Sequence, residues 1–194
     1  MTAVGQPPAS ARRIPGEQGT WVFLFGDMLV FAVFFATFMV ERSKAPEVFD
    51  VARKTLHVNI GLANTLVLLT SSLFVVAAIG AIRTGARSIA ARALLIAAGC
   101  GVVFVALKVT EYVLLGTAGH GPGANHFYLY YFILTGLHLL HVLIGILVLV
   151  LMFTQTRRTE LSANRLAVIE GGGCFWHLVD LLWIVLFPLL YLVS

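Results

Sequence analysis

Glu170, His177 and Asp180 share the run 170–183 with Gly171, Trp176 and Trp183, at the head of an otherwise apolar stretch. Ionisable groups at membrane depth are costly, so they usually face protein or water and serve a purpose. On a helix, positions 170 and 177 are two turns apart and nearly eclipsed, and 180 lies one turn further on. Similar groups recur upstream. Asp27 sits in an aromatic run with Phe31, Phe34 and Phe38 close to its face. Lys108 and Glu111 are three apart on one face, as are His138 and His141. Three kinds of chemistry are open to such groups: relaying protons, holding lipid head groups, or orienting helices through buried hydrogen bonds. Lys108 and Glu111 are expected to neutralise each other, and Asp27 to need a partner or to carry a proton. The stretches holding His141 and His177 are joined by a short loop, which favours antiparallel neighbours. A shared His–Asp–Glu cluster is therefore expected between them. The expected work of Glu170, His177 and Asp180 is packing and partner contact rather than catalysis.

The elements that position these residues follow from composition. Apolar residues make up 59% of the chain and charged ones 11%, and the mean hydropathy is +0.94. A bilayer core takes about 20 apolar residues per helix. Five such stretches stand at 19–41, 60–82, 91–116, 127–154 and 170–193. The fold class is therefore an all-α integral membrane protein, one bundle of five transmembrane helices at 16–194, behind a tail at 1–15 expected to be disordered. That tail lacks the pattern of a cleavable signal peptide. The second stretch carries Asn64, Thr65, Thr70, Ser71 and Ser72 with Gly61, which reads as a helix–helix contact; Gly136 and Gly145 serve the same purpose in the fourth.

Charge placement gives the orientation. Arg12, Arg13, Arg83, Arg87, Arg92, Arg157, Arg158 and Arg165 fall on one side, whereas Arg42, Lys44, Arg53 and Lys54 fall on the other beside Glu41, Glu47 and Asp50. The positive-inside rule puts the N-terminus in the cytoplasm and the C-terminus outside. The scattered basic residues carry no nucleic-acid signal. Tyr128, Tyr130, Tyr131 and Tyr191 suit an aromatic belt at the outer face. His120 and His126 share a glycine-rich outer loop without a third metal ligand. Cys100 and Cys174 read as small packing residues, and the Gly171–Gly173 run lacks the strand context of a nucleotide site.

Four segments, in order, resemble subunit III of the haem–copper oxidases. They are the asparagine-led run 64–72; the element with Lys108, Glu111 and Tyr112; the two-histidine helix with Gly136, His138, His141 and Gly145; and the run 170–183 with its Glu, Trp-His, Asp and Trp. The resemblance covers residue 19 to the end, in the five-helix bacterial form. It implies a non-redox subunit of a respiratory oxidase in the bacterial inner membrane. Such a subunit packs against catalytic subunit I, with subunit II in the same complex. Haem and copper belong to the catalytic partner, with no cofactor or metal in this chain. It also implies support for assembly, proton uptake and turnover stability, and bound phospholipid. Where the family has a buried glutamate on its corresponding helix, this chain has Asp27. Residues 16–21 and the Lys108/Glu111 pair look closer to a branch that includes accessory proteins of nitric oxide reductase, which is the alternative reading. Two further alternatives are a bis-histidine haem protein using His141 and His177, with Asp180 and Glu170 competing for their ring nitrogens, and a small independent transporter, against which stands the lack of an internal repeat.

Overall fold

The computed structural model describes residues 18–157 and 163–193. The tail expected to be disordered, with Arg12, Arg13 and Arg158, lies outside the described residues. Within them the chain is helical: α1 Gln18–Lys44, α2 Pro46–Arg53, α3 Val58–Arg83, α4 Arg87–Thr117, α5 His126–Thr156 and α6 Ala163–Phe187, which runs into a π-helical turn, Pro188–Leu192. Five of these are long and apolar enough to cross a membrane. Their outward faces carry Val22, Leu66, Leu73, Val102 and Leu147, apolar and exposed, as lipid contact requires.

The helix ends are set by local chemistry. α3 and α4 both close on a glycine with positive φ, Gly85 at 77° and Gly119 at 78°. At Gly85 the amide reaches Ile82 O and the next amide, Ala86, reaches Ala81 O; Gly119 and His120 repeat this with Gly116 and Leu115. This paired closure satisfies carbonyls that a helix end would leave bare. α5 begins at Asn125, whose side chain accepts from Tyr128 N at 3.0 Å.

α3, α4, α5 and α6 form a closed ring in chain order, with α6 returning to α3. Trp176, Trp183, Leu186 and Val179 of α6 are buried, and this helix is the most buried of the five spans. α1 lies outside it against α5 and α6, held by Leu24, Phe31 and Phe38.

Two elements differ from the sequence expectation. α6 begins near Ala163, seven residues ahead of the expected 170, because its first turns carry Asn164 and Arg165 and so lack the apolar signal used to place it. α2 falls between the first two expected spans, 19–41 and 60–82, where the sequence reading assigns no element. It is a short helix opened by Pro46, with Phe49 and Ala52 buried against the top of α5. Eight residues are too few to show a clear apolar period.

Candidate functional site

The charged and polar side chains at membrane depth resolve into separate groups. The largest is built around Lys108. Its Nζ donates to Glu111 Oε2 at 2.9 Å, Tyr131 Oη at 3.0 Å and Tyr191 Oη at 2.8 Å. Tyr191 Oη in turn lies 2.7 and 2.8 Å from the two Glu111 oxygens. The ammonium is also 4.8 Å from the Tyr131 ring centre and 4.9 Å from that of Trp183. Lys108 and Glu111 are both 0% exposed. A buried pair persists only when its remaining donors and acceptors are met, and here two phenols and the ring faces meet them. The expected ion pair on α4 is present. Of the four tyrosines read as an outer belt, Tyr130 is half-buried, whereas Tyr128, Tyr131 and Tyr191 are buried and turn their hydroxyls to Thr55 and Lys108.

Asp27 of α1 joins His141 of α5, Oδ1 to Nε2 at 3.0 Å. His141 Nδ1 lies 2.7 Å from Leu137 O. A carbonyl can only accept, so Nδ1 carries a proton. The contact between Nε2 and Oδ1 then holds one further proton, resting on the ring or on the carboxyl. Asp27 and His141 thus share a proton, and each side chain remains slightly exposed, at 12% and 13%. Phe31 packs edge-on against the imidazole at 5.4 Å. His141 lines an apolar groove of about 350 Å³ with Phe23, Ile144, Val168 and Phe175. A second groove, of about 360 Å³, lies between α1 and α6 and is lined by Trp21, Phe25, Met28 and His177.

The shared His–Asp–Glu cluster does not form. Glu170 accepts from Arg83, the last residue of α3, at 2.7 Å. His177 Nδ1 takes Ser72 of α3. Asp180 is buried on α6, with its Oδ1 unpaired among the described residues. His141 is taken by Asp27, not by Asp180 or Glu170. The physical reason is that α6 packs against α3 as well as α5, and its polar positions turn to α3, where Arg83 and Ser72 stand, rather than to His141 of α5. His138, one turn from His141, is fully buried between Phe104 and Trp183, at 5.5 and 5.2 Å between ring centres.

The packing residues divide similarly. Asn64 and Ser71 are fully buried, and Ser71 donates to Ala97 O of α4 at 2.8 Å. Thr65 accepts from Trp183 Nε1 at 3.0 Å. Gly145 lies under the Trp176 ring. Gly136 has nothing within 4 Å of where a Cβ would stand, so it mediates no close helix contact within the described residues. Gly172 and Gly173 do: one faces Val148 and Met152, the other Ile79. In the loop before α5, His120 stacks on Tyr128 at 4.9 Å. Among the described residues no three His, Cys, Asp or Glu gather where they could hold a metal. Sequence reasoning missed Arg53, which donates to Tyr191 O at 3.2 Å across 138 positions of chain. Nothing in local spacing could have signalled it.

This geometry defines a helical membrane protein whose costly polar groups are mostly answered by its own helices. The cytochrome c oxidase subunit III family model matches residues 16–194, and the chain belongs to that family. It is 31% identical to cytochrome c oxidase subunit 3 of Thermostichus vulcanus, over 91% of this chain and 86% of that one. It is 29% identical to cytochrome bo(3) ubiquinol oxidase subunit 3 of Pseudomonas aeruginosa, over 91% and 84%. It is also 29% identical to the heme-copper oxidase subunit I+III of Aeropyrum pernix, covering 89% of this chain and 22% of that longer one. The protein is accordingly a multi-pass protein of the bacterial plasma membrane and associates with oxidase catalytic subunits. These relatives are oxidase subunits, which favours that reading over the nitric oxide reductase accessory branch.

Proposed function

We propose that this chain is the non-redox subunit III of a respiratory terminal oxidase, bound to subunits I and II, which hold the haem and copper. It assists assembly, supplies protons toward the catalytic subunit and prolongs its active lifetime. The observation that carries the reading is the family match over residues 16–194. The Asp27–His141 pair supports a proton role, because it holds one transferable proton beside a groove that opens to the membrane. The two grooves flanking α1 are lined almost wholly by apolar side chains and suit the tails of bound phospholipid. Matching relatives include both cytochrome c and ubiquinol oxidases, which fits a subunit that does not itself meet the electron donor.

The test is affinity purification of the chain from native membranes, with mass spectrometry and absorbance of the eluate. Catalytic and copper-bearing oxidase subunits are expected to co-elute. A Soret band that follows this chain alone, without such partners, overturns the reading. In the assembled complex, Asp27→Asn keeps the shape but fixes the side chain's hydrogens. Slower proton uptake and faster loss of activity during turnover are expected. Unchanged proton uptake would reduce Asp27 to a packing role.

A further inference from the structure

Tyr191 is held at both ends by different parts of the molecule. Its hydroxyl enters the sealed Lys108–Glu111 pair of α4. Its carbonyl accepts from Arg53, at the end of the short helix α2. The backbone between explains how one residue can do both. Pro188 has no amide hydrogen, so the α-helical ladder of α6 cannot continue through it. The chain widens instead into a π-turn in which Val193 N reaches Pro188 O at 2.9 Å. A π-turn redirects side chains and carbonyls that a regular helix would keep in register, and such turns concentrate where a chain does something specific. Here Leu190 and Tyr191 are fully buried. Leu189, Leu190 and Val193 line a narrow hollow with Phe49, Asp50 and Arg53 of α2. Arg53 Nε is buried there without a partner, so the single bond to Tyr191 O carries much of that side chain's placement.

Besides this bond, α2 is held by Phe49, which packs edge-on against Phe38 and Phe127, by Asp50 at 3.5 Å from Arg42, and just past its end by Thr55 Oγ1 at 2.7 Å from Tyr128 Oη; none of these reaches the Lys108–Glu111 pair directly. The outward residues of α2, Val48 and Val51, are exposed, its start lacks a side-chain cap, and only Phe49 and Ala52 are buried. We propose that the Pro188–Leu192 turn is a latch through which the buried Lys108–Glu111 pair fixes the surface helix α2. Any change at α2, such as contact with a neighbouring subunit, then reaches the centre of the bundle through Tyr191, and the reverse. The proposal stands independently of which oxidase this subunit serves.

Hydrogen–deuterium exchange of the full chain in lipid nanodiscs tests it. Tyr191→Phe keeps the ring and removes only the hydroxyl contacts with Lys108, Glu111 and Tyr131, none of which lies in α2. The α2 amides from Phe49 to Arg53 should exchange about tenfold faster, the size expected for losing a hydrogen bond to a charged group. The α3–α4 turn around Gly85 should be unchanged. Arg53→Gln should give the reciprocal result, faster exchange near Tyr112 and Val193. Combining both changes should add little to either alone, because each opens the same latch. Unchanged α2 exchange in Tyr191→Phe, or an Arg53→Gln effect confined to α2, overturns the proposal. Should Tyr191→Phe fail to accumulate, Arg53→Gln alone decides the matter, since its effect on α4 is required by the latch and by nothing else in α2.

Discussion

Lys108 puts a positive charge where its side chain has no exposure at all, and every neighbour answers that charge. Removing one member of such a pair leaves the other buried and unmatched, which costs about 3–5 kcal/mol. Lys108→Met should therefore lower the thermal midpoint of the detergent-solubilised protein sharply. Lys108→Met with Glu111→Gln should restore most of it, because an amide still accepts from Tyr191 and leaves no net charge. A double variant as unstable as the single one would show that the tyrosines, not the pair, hold this layer. The sequence supplied the residue types and the shared face, since an i, i+3 relation is local. It could not supply the partners. Asp27 and His141 are 114 positions apart, and Ser72 and His177 are 105 apart. Only the packing of helices determines which of several polar groups meet.

Helix contacts at the element scale are set by where side chains are missing. A Cβ added at Gly145 would stand 2.6 Å from Trp176 Cε3, and that ring is 1% exposed and cannot yield. Gly145→Ala should separate α5 from α6 and cost about 1–3 kcal/mol. Gly136→Ala meets nothing within 4 Å and replaces a flexible helix residue, so it should be neutral or stabilising by up to about 1 kcal/mol. Thermal midpoints of the two variants, on the same helix and with the same substitution, separate packing from propensity. Equal midpoints would remove Gly145 from the interface. Sequence reading assigned both glycines to packing, because on a membrane helix a small residue signals close approach without saying which face is covered. The Gly171–Gly173 run gains its meaning the same way, as a contact with α3 on one side and α5 on the other.

For the whole molecule, charge placement predicts a cytoplasmic N-terminus. The α3–α4 turn then faces the cytoplasm, and α2 and the loop before α5 face outward. In a Cys100→Ala, Cys174→Ala background, a cysteine at Ser88 should react with an impermeant maleimide only after inside-out vesicles are made. One at Gly121 should react in intact spheroplasts. The reverse pattern would invert the topology and move α2 to the cytoplasmic side. The same arrangement places the latch of Tyr191 and Arg53 toward the outside, and the groove holding His141 nearer the inner half.

What the sequence determined alone is the membrane-spanning class, the five spans and the residues that must be answered inside them. Those follow from apolar length and from the cost of placing a charge in hydrocarbon, both of which act on a segment by itself. The start of α6 and the helix α2 escaped because polar or short segments carry a weak periodic signal. The tertiary structure decided the pairings: Asp27 with His141, Glu170 with Arg83, His177 with Ser72, and Tyr191 between Glu111 and Arg53. A polar side chain at membrane depth needs a partner, but several lie in other helices. Which one it meets depends on how the ring of α3 to α6 closes and where α1 leans upon it.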